Sequence, residues 1–460
     1  MDGPSHSCDQ SPIMKLPAEI LSQVFVDSVD KTNNRHSNIL STRAPLTLRR
    51  ICQSWRQLAL NTPLLWATII APVIADHSKE KIYPDLDKYL YTIEDFIMRS
   101  GNCPLTISII FRIDGSGGDV VFAKFQAIIT KLLLHVHRWR YICLEIPRRS
   151  MWLVYARLSS GVPGLKSLAL KQNFPTVLGE SIDLSTAHHL EYLHIRFRAK
   201  IEWGGSTMHK MREMRVDNHS IGEVLNWLTA CPSLTHFVFR EHPNSYLWNK
   251  KHRSKITIHT LASLVQCHFD LNNNIQSSLV LNSLHLPALK FFSLSINDVW
   301  PIFDYSALVG FMERSHPALT VLNLNFDRLA TAELHHCLRS LPSLIALRVH
   351  IRHFSKTSIG PFLAPSPTHV EPILCPNLKS LWLIGNDDAA CYAVAKLVVH
   401  RWRTACSTIA TRISILSLSK SNMKTFMTCP GVLQCVHEGL VFKRNVYWTG
   451  HAHQIVAFSD

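Results

Sequence analysis

The sequence predicts an α/β chain in which a small helical module precedes a long array of short parallel strands with helices between them. Three observations predict it. Two short amphipathic helical patterns, unlike anything else in the chain, lie within residues 13–70. From residue 89 an apolar-x-x-apolar-x-apolar motif recurs, with steps of 25 residues (Leu165 to Leu190, Leu264 to Leu289, Leu319 to Leu344) and of 30 (Leu289 to Leu319). Helical patterns such as Ile221–Ala230, Tyr305–Arg314 and Thr331–Ser340 fill the gaps between copies. Such a period is that of stacked repeats, in which no unit buries its own apolar face and each relies on its neighbours.

Residues 1–12 are polar and read as a disordered tail. Leu16, Ile20 and Val24 then fall on one helical face at four-residue spacing, with Leu21 and Phe25 beside them. Pro17 suits the first turn, where its missing N–H would have had no partner. Glu19 suits the positive end of the helix dipole. The polar insert Asp30–Ser41 breaks the pattern and reads as a loop. A second face follows with Leu48, Ile51, Cys52 and Trp55, then Leu58 and Ala59. Pro63 ends it, and Leu64, Leu65 and Trp66 form an apolar plug. The module is too small to stand alone, so it needs the rest of the chain or a partner.

Its segments LPAEILSQVF, ICQSWRQLAL and TPLLWATI resemble the F-box, in the form carried by a large fungal group of F-box proteins. The diagnostic parts are Leu16–Pro17, Cys52-x-x-Trp55-Arg56 and Thr62-Pro63-x-x-Trp66, and Phe96–Ile109 resembles the first strand unit after the F-box in that group. The resemblance implies that the module docks a Skp-type adaptor, and through it a cullin. The contacts it implies come from Leu16, Pro17, Ile20, Leu21, Val24 and Phe25, with Ile51, Cys52 and Trp55 from the second helix. Some of these must instead pack the module onto itself.

The repeat copies begin at Leu165, Leu190, Met211, Leu234, Leu289, Leu319, Leu344 and Leu378, most of them two residues after a proline. Weaker copies sit at Trp139, Leu264 and Ile413. Alternating apolar positions give each strand one buried face. The chain thus resembles leucine-rich repeat proteins, and the expected organisation is an F-box over 13–70, a linker over 71–88, a repeat solenoid with helices on its convex side over 89–450, and a tail over 451–460. An asparagine follows three copies (Asn173, Asn297, Asn386), where a buried amide could bond to loop backbone of neighbouring coils. Other copies place Arg198, His219, Asp327 or Arg352 there. Pro430–Trp448 reads as a last helix and strand that cap the array. Variable strand positions would select a target, among them Lys166, His194, His236, Asn323, Asn325 and Trp382.

Composition limits the function classes. The chain is 47% hydrophobic and 18% charged, the balance of a folded protein. No apolar run approaches the roughly 18 residues of a membrane span, and the N-terminus lacks the plan of a secretory signal. A cytoplasmic or nuclear protein is therefore expected. The 12 cysteines are scattered, four of them directly before proline (Cys103, Cys231, Cys375, Cys429), which suits small buried residues better than a disulfide framework. The net charge is +15, yet the basic groups at Arg196–Lys200, Lys210–Arg215 and Lys250–Lys255 are dispersed. A solvated basic face is favoured over a nucleic-acid partner.

Catalytic patterns are missing: there is no GxSxG, HExxH or phosphate-binding loop. The glycine turn Asp114–Asp119 lacks the third glycine of a dinucleotide fingerprint, because Val120 occupies its place. The 26 histidines include His188–His189, His335–His336, His135-x-His137 and His451-x-His453, none with further ligands at metal-site spacing. Trp203, Trp248, Trp300, Trp382 and Trp402 are candidates for interface anchors or for packing. The expectation is a non-enzymatic protein without cofactor or metal, the substrate-recognition subunit of a Skp–cullin–F-box ubiquitin ligase. The alternative is a basic repeat scaffold that binds RNA or another polyanion.

Overall fold

Each copy of the motif from Leu165 to Ile413 becomes a parallel strand that starts two residues after its first apolar position. The computed structural model describes residues 12–28, 44–71, 74–75, 86–112, 118–172, 181–241, 257–272, 274–296, 305–326, 331–355, 358–363, 373–404 and 410–443. The chain divides into two compact units, residues 1–211 and 212–460.

The first unit opens with three helices, α1 (Ala18–Ser28), α2 (Ala44–Leu48) and α3 (Gln53–Leu60). Leu21 and Phe25 turn inward, and the Phe25 ring lies 4.8 Å from that of Trp55. Cys52 caps α3: its Sγ accepts the Trp55 N–H at 3.5 Å, where a hydroxyl more often serves. A 3-10 turn, Pro63–Trp66, then leads through one residue into strand β1 (Thr68–Ile70). Trp66 is wholly buried at this junction. Its indole N–H donates to Ala59 O at 2.8 Å, its ring meets Phe96 edge-on at 5.1 Å, and Arg49 and Arg99 lie over it.

Strand β2 (Ile74–Ala75), helix α4 (Leu86–Arg99) and strand β3 (Leu105–Arg112) follow. Both β1 and β2 pair in parallel with β3, so part of the expected linker joins the sheet. After α5 (Gly118–Leu133) come β4 (Trp139–Glu145), α6 (Arg148–Leu158), β5 (Ser167–Lys171), β6 (Ser181–Asp183), β7 (Tyr192–Arg196) and β8 (Lys200–Glu202). The main sheet runs β1-β3-β4-β5-β7 in parallel. Ile142, Leu144, Leu168, Leu170, Leu193 and Ile195 are all buried on its inner face, each worth about 1.5–3 kcal/mol of transfer free energy. Between β5 and β7, and again after β7, the connection carries a short strand and not a helix. β6 and β8 form a parallel ladder of their own. The reason is local: buried Ile182 and Leu184, then Ile201 and Trp203, alternate at strand period.

The second unit has the strands β9 (Glu213–Asp217), β10 (His236–Arg240), β11 (His259–Thr260), β12 (Gln266–Leu271), β13 (Leu284–His285), β14 (Phe291–Ile296), β15 (Val321–Asn325), β16 (Ala346–His350), β17 (Ser380–Ile384), β18 (Ile415–Ser417) and β19 (Val441–Phe442). Its helices are α7 (Ile221–Thr229), α8 (Asn274–Ser283), α9 (Tyr305–Ser315), α10 (Thr331–Arg339), α11 (Asp388–Thr404), α12 (Lys420–Met427) and α13 (Val432–His437). Its main sheet runs β9-β10-β12-β14-β15-β16-β17-β18-β19, again in parallel, with β11 and β13 paired separately. Ser220 and Glu223 form a capping box that starts α7.

Arginines fasten successive repeats. Arg138 donates to Cys103 O and Ser100 Oγ, and Arg314 donates to Leu284 O and Leu281 O. The fully buried Arg401 reaches Phe362 O, Leu374 O and Cys375 O at 3.0, 2.7 and 3.0 Å. The expected asparagine bridge is made differently. Asn386 is exposed, and the buried Asn422 of α12 donates to Gly385 O at 2.9 Å and accepts from the Asp387 N–H. Gly385 has φ +86, and a Cβ there would collide with the His350 ring. At the corresponding place in β12's repeat, Asn272 is buried and its N–H is held by Glu241. The tail over residues 1–11, the insert Asp30–Ser41, residues 114–117 of the glycine turn, Asn173, Asn297, Asp327, Trp248, Trp300, Lys250–Lys255 and everything after residue 443 lie outside the described residues.

Candidate functional site

The α1 helix divides its apolar residues sharply. Leu21 and Phe25 are 4% and 2% exposed, whereas Leu16, Ile20 and Val24 are 40–52% exposed. Helical geometry accounts for the division: residues four apart stay on one face, and the neighbouring row points about 100° away, into α2 and α3. Within α1 the exposed row from Ile20 to Val24 is about 6 Å long, and Leu16 lies just before the helix begins. Pro17 beside it is also exposed. Ile51, just before α3, is 52% exposed, and Leu64, just after it, is 54% exposed. Thr62 Oγ1 donates to Ser22 Oγ at 3.3 Å, which holds the exit turn against α1. Apolar side chains grouped in this way mark a contact surface more often than scattered ones do.

Of the nine residues expected at the adaptor, then, Leu16, Pro17, Ile20, Val24 and Ile51 face outward. Leu21 and Phe25 hold the helices together, and Trp55 and Cys52 are half-buried. Leu64, read in the sequence only as part of a plug, joins the outward set. Its signal was its place beside Pro63, at the tip of a turn.

The residues expected to meet a target are spread over both units. In the first, Lys166 pairs with Glu191 at 3.0 Å and His194 lies on the outward face of β7. In the second, His236 Nδ1 lies 2.8 Å from Thr235 Oγ1. Asn323 and Trp382 are buried and so meet no partner as they stand. Asn323 donates to Ser293 Oγ at 2.8 Å, and Asn325 repeats this with Ser295 at 2.9 Å. Strand register aligns His268, Ser293, Asn323, Arg348, Trp382 and Ser417 in one row across β12 to β18. Burial, together with the positive charges of Arg240, Arg215 and Arg348, pushes the His268 pKa down to about 3. Of this row, the sequence reading expects Asn323 and Trp382 to face a target.

Among the described residues no three His, Cys, Asp or Glu side chains gather as a metal site, and no helix is long and apolar enough to cross a membrane. Burial pushes the Cys231 and Cys375 thiols up to about 12, far from a reactive thiolate. No protein-family model matches the chain, and no curated protein matches it in sequence.

Proposed function

We propose that this chain is the substrate-recognition subunit of a Skp–cullin–F-box type ubiquitin ligase. Its first helix docks the Skp-type adaptor, and its leucine-rich repeats hold a target protein. The observation that carries the reading is the two-sided α1 helix, one apolar row closing the helical module and the other left on the surface, as Ile51 and Leu64 also are. The parallel, repetitive strands support the second half of the reading, because such arrays offer one outward row per strand for recognition.

On this reading the protein supplies no reacting group. It holds target lysines near a charged ubiquitin-conjugating enzyme, so that transfer proceeds at a high effective concentration. The test replaces Pro17 and Ile20 together with alanine. Both are exposed, so folding stability should move by no more than about 0.5 kcal/mol, while co-purification with the adaptor is lost. Wild-type recovery of adaptor by the double variant would refute the docking assignment.

A further inference from the structure

Two neighbouring helices of the first unit, α4 and α5, leave large apolar side chains on their outer surface. Tyr91 and Met98 on α4 are 74% and 69% exposed. Val120 near the start of α5 is 70% exposed, and Leu134 just past its end is 56% exposed. Among the described residues, the helices of the second unit expose only three large apolar residues, Ile275, Tyr392 and Leu433. Apolar side chains clustered on one face, unlike scattered single ones, mark a contact surface.

The two helices are in register. Lys124 pairs with Asp87, and Lys131 pairs with Glu94 at 2.9 Å. Both pairs join residues 37 positions apart, so α4 and α5 run side by side in the same direction, each lysine level with its carboxylate. Helical spacing puts Asp87, Tyr91, Glu94 and Met98 in one row on α4, and Lys124, Ala127, Lys131 and Leu134 in one row along α5. Tyr91 therefore stands level with the small, exposed Ala127, and Met98 with Leu134. The α4 row is acidic and carries a large ring. The α5 row is basic and has a gap at Ala127.

Charge is the second observation. The chain carries +15, so two copies repel each other at long range. On α4 and α5 the charges cancel, with Asp87, Glu94, Asp95 and Asp119 against Lys88, Arg99, Lys124 and Lys131. A two-fold axis between the helices and parallel to them sets α4 of each copy on α5 of the other. Because the rows are level, it also sets Asp87 and Glu94 opposite Lys124 and Lys131 of the second copy, and Tyr91 over its Ala127. The contact occurs twice, once on each side of the axis.

We propose that the outer faces of α4 and α5 form a self-complementary interface, and that its occupant is a second copy of this chain. The ion pairs within one copy are solvent-exposed and weak, so their members exchange or share partners across the contact at little cost. The neighbouring pair α5 and α6 offers no such match. α6 carries Arg148, Arg149 and Arg157 and no carboxylate, which a similar axis would set against the lysines of α5. At 14 and 16 residues, α4 and α5 are roughly 21 and 24 Å long, and side by side they make a patch about 20 Å wide. That is small for a permanent dimer, so association belongs in the micromolar range. The proposal does not rest on the ligase reading.

The test is sedimentation velocity of the full chain at physiological salt, over a concentration series spanning the micromolar range. The wild type should pass from monomer to dimer and stop there, since a two-fold contact closes on itself. Ala127→Glu fills the gap at an exposed helical position that tolerates glutamate. It should weaken dimerisation roughly tenfold or more without lowering the melting temperature. Charge reversal gives the sharper readout. Asp87→Lys with Glu94→Lys sets lysine against lysine across the contact, and Lys124→Glu with Lys131→Glu sets carboxylate against carboxylate. Each double variant alone should be monomeric. Mixed, the two should form a heterodimer, because every charged contact between them then joins opposite signs, and a folding defect cannot produce that rescue. A wild type that stays monomeric, species that grow beyond the dimer, indifference to Ala127→Glu, or folded double variants that fail to associate when mixed would each overturn the proposal.

Discussion

Neighbouring apolar residues on α1 have opposite expected effects when truncated. Phe25→Ala removes a ring packed on Trp55 in the interior of the module. It should cost roughly 3–5 kcal/mol, read as a lower denaturant midpoint. Ile20→Ala, five residues away, should leave that midpoint within about 0.5 kcal/mol of wild type. If both variants unfold alike, the division of the helix into an inner and an outer row is wrong. The sequence displayed the spacing of Leu16, Ile20, Leu21, Val24 and Phe25 but not which row faced inward, because both rows are apolar at the same period. Only the positions of α2 and α3 decide. The same limit hid the burial of Asn323 and Trp382, since alternation marks a position as outward and does not tell what covers it.

Elements were easier to read than their sides. The Leu-x-x-Leu-x-Leu pattern places each strand from β5 to β18 along the main sheets, including the degenerate copies at Leu264 and Ile413. It said nothing of the short strand between β5 and β7, where the alternation of Ile182 with Leu184 makes β6. The joints between repeats were also illegible, because an arginine in a helix pattern looks like a solvated charge. Arg401 is the clearest case. Burial lowers its pKa to about 10, yet it keeps three backbone carbonyls satisfied. Arg401→Ala should cost roughly 3 kcal/mol or more and lower the melting temperature by roughly 6–12 °C. Arg401→Lys should recover little of it, because an ammonium has no planar fork to span three acceptors. A lysine variant that melts with wild type would show that charge alone suffices.

Across the whole molecule, histidines shielded from water contribute to the response to acid. His268 stays neutral in the folded chain down to about pH 3, and burial also lowers His135, His259, His335 and His400. In the unfolded chain each titrates near 6.5. Between those values the unfolded state binds more protons, so stability falls as pH drops below about 6.5 and continues to fall toward pH 3. For His268 alone the loss by pH 5 is on the order of 2 kcal/mol. His268→Gln should flatten the pH dependence of the melting temperature between 7 and 5. An unchanged slope would mean that other groups govern the acid response.

The junction at Trp66 has a mechanical consequence. The chain passes from α3 through Pro63–Trp66 and one residue into β1, and the indole is clamped between Ala59, Phe96 and two guanidiniums. On the proposed reading the adaptor-facing helix is therefore mounted on a stiff bracket rather than hung from a leash. A leash would let a captured protein swing many of its lysines toward the conjugating enzyme. A bracket sweeps a narrow arc, and the lysines modified would be those standing at one height above the repeats, chosen by where they are and not by the residues around them.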